Sequence, residues 1–245
     1  ANIKLNYNAT RHHFHLTGSA EKVNFNAHTF NNLAINLMST DSLFTASTRT
    51  KSVLLSDYIF LENFKTTSIT GNNDINLKID WNNSEDDPTD YKGKILASTK
   101  IYQKSTYDDP SFNITILPSQ IIVNDSLWNI NKSILKIDST AFAINNFNIN
   151  HGNQFFKVNG KISENPEDSL FLGFGNIDLS HVNLITKGKN LQFDGIINGN
   201  ANFSNIYKNP LFFSEIIIND LRLNNEALGY TQISSTWIEK QKAIK

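Results

Sequence analysis

The chain has 245 residues, a net charge of −1 and no cysteine, and 39% of its residues are hydrophobic. This composition excludes disulfide bonds, thiolate zinc sites and iron–sulfur clusters, and the scattered charges lack the basic stripe of a nucleic-acid-binding surface. No run reaches the ~18 consecutive apolar residues that a transmembrane helix needs. The first residues, ANIKLNYN, hold no apolar signal-peptide core.

Apolar and polar side chains alternate with a period of two, a pattern that predicts β-strands with one buried face. The alternation starts with Ile3, Leu5 and Tyr7 and still continues at Ile233 and Trp237, so we expect an internal segment of a longer protein. The residues predicted to form the apolar face are, in chain order, Leu33, Ile35, Leu37, Ile75, Leu77, Ile79, Trp81, Trp128, Ile130, Leu135, Ile137, Phe156, Val158, Leu170, Leu172, Phe174, Phe193, Ile197, Phe203, Ile216, Ile218, Leu221 and Leu223.

Turn-forming segments separate these runs, for example GNND (71–74), HGN (151–153) and SENPED (163–168). Their spacing predicts about 16–20 short strands of ~5–6 residues. No helical periodicity is sustained anywhere. We therefore expect an all-β fold, an elongated and mostly antiparallel sheet with little or no helix. It would form one unit over residues 1–245, with an internal boundary, if there is one, near residues 103–112.

Asparagine is unusually frequent, with 36 of the 245 residues. One interpretation is a genome whose codons favour Asn and Lys. The other is that Asn supplies neutral, hydrogen-bonding outer faces and turns. The sequence leaves both open.

The apolar face could be covered by a second sheet or by a lipid, because a sandwich and an open trough produce nearly the same alternation. Two features favour the trough. Aromatic residues make up 11% of the chain, few for filling a core between so many strands. In addition, Gly195 and Gly199 flank Ile197 on one face of a predicted strand, and glycine inside a strand indicates a bend or a close approach.

Three segments resemble the TamB family, the translocation and assembly module proteins related to AsmA. They are LPSQIIVNDSLWNI (117–130), NFNINHGNQFFKVNGKISENPEDSL (146–170) and the run that begins FDGIINGNANF, from Phe193 to Pro210. The first 50 residues match this family less well. The resemblance implies a protein tethered to the inner membrane that crosses the periplasm as a long sheet, folded into a taco-shaped trough.

The apolar interior of such a trough would bind phospholipid acyl chains and carry them toward the outer membrane, supporting its biogenesis with a TamA-type barrel partner. The predicted apolar residues would then line a lipid groove. A fragment of such a sheet would also leave open edges, so end-to-end association is expected.

Other chemistry has weaker support in the sequence. His13 and His15 would share one face of a strand and could bind a metal, although polar-face histidines are the simpler interpretation. EDDPTD (85–90) lacks the spacing and glycine of a calcium-binding EF-hand loop. Asp178 is the one carboxylate inside an apolar run. No nucleophile elbow, phosphate loop or zinc-protease motif is present, so we predict no enzyme, cofactor or metal site.

Two further functions remain open. The same trough could be a periplasmic scaffold that binds unfolded outer-membrane strands by β-augmentation at an open edge. Alternatively, the chain could be a surface β-sandwich that binds glycans.

Overall fold

A computed structural model describes residues 1–26, 28–54, 60–83, 90–103, 105, 109–183, 190–238 and 243–244. Within these residues the protein is all-β, and the strand pairings are antiparallel. A short 3-10 helix, Leu179–Val182, follows β14. The predicted fold class is thus confirmed. EDDPTD lies outside the described residues except for Asp90.

The chain divides into two compact units. Unit 1 comprises residues 1–101 and 116–128, and unit 2 comprises residues 102–115 and 129–245. The strands of unit 1 are β1 (Asn2–Asn8), β2 (His13–Phe25), β3 (His28–Ser39), β4 (Phe44–Leu54), β5 (Phe60–Gly71), β6 (Asp74–Asn82), β7 (Lys92–Tyr102) and β9 (Ser119–Val123). Strands β1 to β7 form a meander in chain order, and β9 pairs with β7.

Unit 2 is a second meander. Its strands are β8 (Ser111–Ile116), the end of β10 (Ser126–Ile130), β11 (Ser133–Ile137), β12 (Ala141–His151), β13 (Gln154–Ser163), β14 (Ser169–Asp178), β15 (Phe193–Ser204), β16 (Leu211–Leu223), β17 (Glu226–Ile238) and β18 (Ala243–Ile244). Strands β11 to β18 pair in chain order, and the end of β10 pairs with β12.

Many strands are longer than the predicted five to six residues, and β2, β16 and β17 each have 13. The reason is visible in β16. Ile216 and Ile218 occupy even-numbered positions, whereas Leu221 and Leu223 occupy odd-numbered ones. The alternation in the sequence therefore looks like two separate short strands. The structure joins them in one strand through a β-bulge, where the register shifts between Ile218 and Leu221.

The bulges repeat a local pattern. Register shifts occur at INNF (144–147) in β12, FGNI (174–177) in β14 and INDL (218–221) in β16. In each, the third residue is Asn or Asp at positive φ: Asn146 at 58°, Asn176 at 52° and Asp220 at 54°. These residue types adopt the left-handed region more readily than others. Each bulge returns the next apolar residue to the same face of the sheet.

Two of the bulges are held in the same way, because in each a backbone N–H donates a hydrogen bond to an Asn side chain on the neighbouring strand. The backbone N–H of Asn146 donates to Oδ1 of Asn159 at 3.2 Å, and that of Asn176 donates to Oδ1 of Asn198 at 2.8 Å. Each acceptor precedes a glycine, Gly160 or Gly199, at positive φ. A Cβ at Gly199 would lie 2.3 Å from the carbonyl oxygen of Glu215, so only glycine fits there.

Asparagine also makes the tight turns. Asn72–Asn73, Asn124–Asp125 and Asn224–Asn225 join consecutive strands, and both residues of each pair have positive φ, as a type I′ hairpin requires. Among the described residues, twelve of the fifteen non-glycine residues at positive φ are Asn. A third of the asparagines therefore lie where the sheet bends or reverses, as the structural interpretation of the Asn content expects.

Few side chains are fully buried. Among the described residues, the buried hydrophobic ones are Val53, Trp128, Ile130, Ile144, Leu179, Ala201 and Ile218. Most other apolar residues of the strands are half-buried, so each unit keeps much of its apolar surface within reach of solvent or of a ligand.

Candidate functional site: the apolar sheet faces

One face of the unit 2 sheet carries apolar side chains in rows that run across the strands. Residues directly opposite each other in an antiparallel pair lie on the same face. The register therefore defines a central row, whose members from β10 to β17 are Ile130, Ile149, Phe156, Phe174, Gly199, Ile216 and Ile233.

Rows on either side of the central row continue this apolar face. One contains Phe147, Val158, Leu172, Ala201, Ser214 and Ser235, and a second contains Leu135, Ile144, Gly160, Leu170, Phe203 and Phe212. On the other side of the central row, Ile177, Ile197, Ile218 and Thr231 face each other. None of these residues is ionisable, so the face as described carries no charge.

This face is the more shielded side of the sheet. Along β16, Phe212 and Ile216 are half-buried, while Ser214 and Ile218 are buried. The alternate residues are exposed, including Phe213 at 43% and Ile217 at 37%. The opposite face also carries the charges of β13 and β16, such as Lys157 and Glu215.

Small residues occupy the middle of the apolar face. Gly199 lies between Phe174 and Ile216, and Ala201 lies between Leu172 and Ser214. Larger side chains stand on the β12–β14 side of these rows, whereas the row through Ala201 ends in Ser214 and Ser235. In the neighbouring row, Phe203 packs on Phe212 with ring centroids 4.8 Å apart. The face is therefore lower at Gly199 and Ala201 than at the larger side chains beside them.

Unit 1 has a corresponding face that is less apolar. One row contains Leu16, Leu37, Ala46, Ser68, Leu77 and Ala97, and the next contains Gly18, Ile35, Thr48, Thr66, Ile79 and Ile95. Thr48 and Thr66 bond to each other through their hydroxyls at 2.8 Å, so these polar atoms satisfy one another. At one end, the ring of Trp81 lies against Gly93.

The structure places every predicted apolar-face residue in a described part of the chain. Trp128, Ile130 and Ile218 are buried, and the other twenty are half-buried. Sequence reasoning missed Ile149, Phe147, Ile144 and Phe212, which share the face. The first three lie on either side of the INNF bulge, where the phase of alternation changes. The paired Asn residues of that bulge are the signal that could have identified them.

The other candidate residues have structural partners. Nε2 of His13 contacts Oδ1 of Asp41 at 2.7 Å, and Nε2 of His15 contacts Oδ1 of Asn36 at 2.7 Å. The described residues contain no group of three or more His, Cys, Asp or Glu that could hold a metal ion. Asp178 caps the 3-10 helix, since its Oδ1 accepts from the N–H of Ser180 at 2.8 Å.

Comparison with known proteins assigns no function to the chain, so a proposal for its function depends on the geometry. No family model, no curated protein and no solved structure matches the chain. Among the described residues, no helix has the length and apolar character needed to cross a membrane.

Proposed function

We propose that this chain is a segment of a TamB-like lipid conduit in the periplasm, and that its apolar sheet face binds phospholipid acyl chains. The observation that carries the proposal is the uncharged apolar face of unit 2, which is half-shielded rather than closed. An acyl chain needs such a surface, with apolar walls and few polar anchors.

The energetics fit a mobile apolar ligand. Burying an acyl chain gains ~0.8 kcal/mol per CH₂, so partial shielding of a long chain supplies several kcal/mol without any specific contact. Binding of this kind depends little on position along the face, which suits a ligand that must move. A closed core would instead fix one packing arrangement.

The dimensions are also adequate. The central row spans six strands from β12 to β17, which corresponds to about 24 Å at a strand spacing of ~4.8 Å. One leaflet contributes half of a bilayer core of ~30 Å, so a single acyl chain of about 15 Å fits within the row.

The cellular setting follows from the resemblance of residues 117–130, 146–170 and 193–210 to the TamB family. In that setting the full-length protein is tethered to the inner membrane, and it delivers phospholipid toward the outer membrane with a TamA-type barrel partner. No enzymatic step is involved.

Two neighbouring isoleucines provide the test. Ile197 lies on the apolar face opposite Ile218, whereas Ile196 lies on the other face opposite Asn219 and is 36% exposed. A photo-crosslinking amino acid at position 197 of the full-length protein should capture phospholipid in cells, and the same residue at position 196 should not. Equal labelling at both positions, or none at 197, would contradict the proposal.

A further inference from the structure

A polar groove lies on the opposite face of unit 1, over strands β1 to β5. Alternate residues of a strand point to opposite faces, so Ala34 and Asn36 face away from Ile35 and its apolar row. Two rows form the groove. The first contains Asn2, Ser19, Ala34, Arg49 and Lys65, and the second contains Lys4, Thr17, Asn36 and Ser47. Together they line a cavity of about 530 Å³.

The groove has a low floor and cationic ends. Ser19, Ala34 and Ser47 are small, so the sheet is open above them. Lys4 stands on β1 at one side, and Arg49 and Lys65 stand on β4 and β5 at the other. Strands β1 and β4 are three strand spacings apart, about 14 Å, and Lys4, Arg49 and Lys65 all line the cavity.

Among the described residues, the three cations of the groove have no ion-pair partner. Lys78, Lys92, Lys100 and Lys161 each form an ion pair with an aspartate. Within the part of the chain that the structure describes, Lys4, Arg49 and Lys65 form none, and no acidic residue lines the cavity.

A carboxylate on the neighbouring strand, Asp80, lies opposite Lys65 in the register. Its Oδ2 lies 3.2 Å from Nζ of Lys78 but has no hydrogen-bond partner in the described part of the chain, and its ion pair is with Lys78 rather than with Lys65. The cations of the groove can therefore meet an external anion.

A second cavity adjoins the first and indicates what else the ligand carries. It has a volume of about 850 Å³, shares Asn2, Ser19, Ala34 and Arg49 with the first cavity, and adds both Glu21 and Lys22. A carboxylate accepts hydrogen bonds from hydroxyl groups, and the Asn, Ser and Thr side chains of both cavities can donate or accept. Phosphate oxygens can accept from the neutral groups, but the carboxylate of Glu21 repels an anion and favours a hydroxyl donor.

We propose that this groove binds a hydroxylated phosphate ester, with the phosphate held by Lys4, Arg49 and Lys65 and the hydroxyls held by Nδ2 of Asn36, by Thr17 and by Glu21. Arginine binds phosphate through two parallel N–H donors, and lysine adds a point charge. Within unit 1, the side chains of Lys4, Arg49 and Lys65 lie on the face opposite the apolar row.

The 245-residue chain would be titrated with glucose 6-phosphate, inorganic phosphate and glucose, and backbone amide shifts would be followed by NMR. We expect glucose 6-phosphate to bind at least ten-fold more tightly than either of the others, with shifts at Thr17, Asn36 and Ser47. The affinity should fall with added salt, because these exposed charges are screened within ~10 Å at 0.1 M.

Variants separate the groove from general charge. Arg49→Gln and Lys65→Gln should each weaken glucose 6-phosphate binding ten-fold or more, while Lys100→Gln, which makes the same charge change on β7, should alter it less than two-fold. Glucose binding as tightly as glucose 6-phosphate would overturn the proposal, and so would equal affinity for inorganic phosphate, equal losses in all three variants, or shifts confined to other strands.

A further arm identifies the source of the ester. Flotation with phosphatidylglycerol vesicles, abolished by Arg49→Gln, would place the phosphate on a lipid headgroup. Binding of soluble glucose 6-phosphate without flotation would place it on a soluble sugar. Failure of both to bind would overturn the site and leave the crosslinking test at Ile197 unaffected.

Discussion

At the scale of single residues, the conformation of asparagine decides how the sheet is built. Asn146 lies at a bulge with φ of 58°, and its N–H donates to Asn159, while Ser133 donates to its carbonyl oxygen at 3.2 Å. A β-branched residue cannot adopt this conformation without strain. The identity of this side chain is therefore fixed by the backbone, not by contacts on the surface.

Asn146→Val should lower the free energy of unfolding by about 1–2 kcal/mol, because the left-handed conformation costs that much for a residue with a bulky Cβ. Asn145→Val is the control, since Asn145 lies in the same bulge but is exposed, is not among the residues at positive φ, and keeps its pairing with Ile134 of β11. It should change the stability by less than about 0.5 kcal/mol. Urea denaturation of both variants measures the difference, and equal effects would refute the role of the bulge.

Gly199 is limited by space as well as by conformation. Its φ is 153°, and an added Cβ would meet the backbone of both Glu215 and Ile216. Gly199→Ala should lower the free energy of unfolding by ~1–3 kcal/mol, because β15 and β16 cannot move apart without breaking the hydrogen bonds between them.

Gly152→Ala provides the comparison for Gly199→Ala. Gly152 also has positive φ, at 56°, but nothing lies within 4 Å of its added Cβ. The thermal midpoint of this variant should fall less. If it fell as far as that of Gly199→Ala, conformation alone would account for the effect and the close approach of the strands would be irrelevant.

At the scale of elements, the β13–β14 hairpin contains a pH-sensitive cluster. Ser163 donates a hydrogen bond to Asp168, and Nζ of Lys161 lies 2.9 Å from the same carboxylate oxygen. The hydrogen bond from Ser163 is the larger cause and the contact with Lys161 the smaller one, and both hold the pKa of Asp168 below its ordinary value. A lowered pKa in the folded state means that the contribution to stability is present above about pH 4 and is lost as the pH falls further.

Asp168→Asn should therefore lower stability at pH 7 and make it less dependent on pH between about 4 and 2. Glu167→Gln removes an exposed carboxylate from the same turn and should leave the pH dependence near that of the parent. Urea midpoints at pH 7 and pH 3 test this. An Asp168→Asn variant with the parent's full acid sensitivity would show that the cluster contributes nothing.

Strand β1 is the element expected to cause association. All seven of its residues are exposed, including Ile3 at 69%, Leu5 at 60% and Tyr7 at 59%. A charged residue on an exposed edge strand opposes pairing with another chain. Leu5→Lys should therefore weaken any concentration-dependent association seen by sedimentation.

Phe171→Lys serves as the control for β1. Phe171 is 42% exposed but lies on β14, between paired strands. Its replacement should leave association unchanged if strand edges are responsible. An equal effect of the two variants would point instead to general apolar contacts.

The strands also show which parts of the fold could be predicted from the sequence. Period-two alternation predicted the all-β class and the apolar residues of β3, β6 and β15, and the short spacing between the runs predicted the antiparallel pairing. It did not predict that Ile216, Ile218, Leu221 and Leu223 belong to one strand, because a bulge shifts the phase by one residue. The polar groove was also missed, since Lys4, Arg49 and Lys65 are far apart in sequence and only the register brings them together.

At the scale of the whole molecule, the two faces of the sheets have different chemistry. One face carries rows of Ile, Leu, Val and Phe without charge, and the other carries the Asn side chains that support the bulges together with Lys, Arg and Glu. The division is incomplete, since Ile196, Ile217 and Phe213 are exposed on the polar face of unit 2. Exposed apolar residues of this kind are common singly, and here each lies opposite an asparagine.

Whether the apolar face is an open path or a closed core determines the effect of a charge on it. Ile197→Arg should leave the protein folded with a modest loss of stability, because an arginine on an open face can keep its guanidinium hydrated. It should also remove co-purifying phospholipid, measured by native mass spectrometry of protein isolated from cells. A closed core predicts unfolding, since an unpaired buried charge costs several kcal/mol against a total stability of ~5–15 kcal/mol.

Ile196→Arg makes the same change on the opposite face and should alter neither the fold nor the bound lipid. Circular dichroism establishes folding for both variants before lipid is counted. An unfolded Ile197→Arg beside a folded Ile196→Arg would identify a closed core. A folded Ile197→Arg that retains its lipid would separate the apolar face from lipid binding, and the alternation of the strands would then serve only to build the sheet.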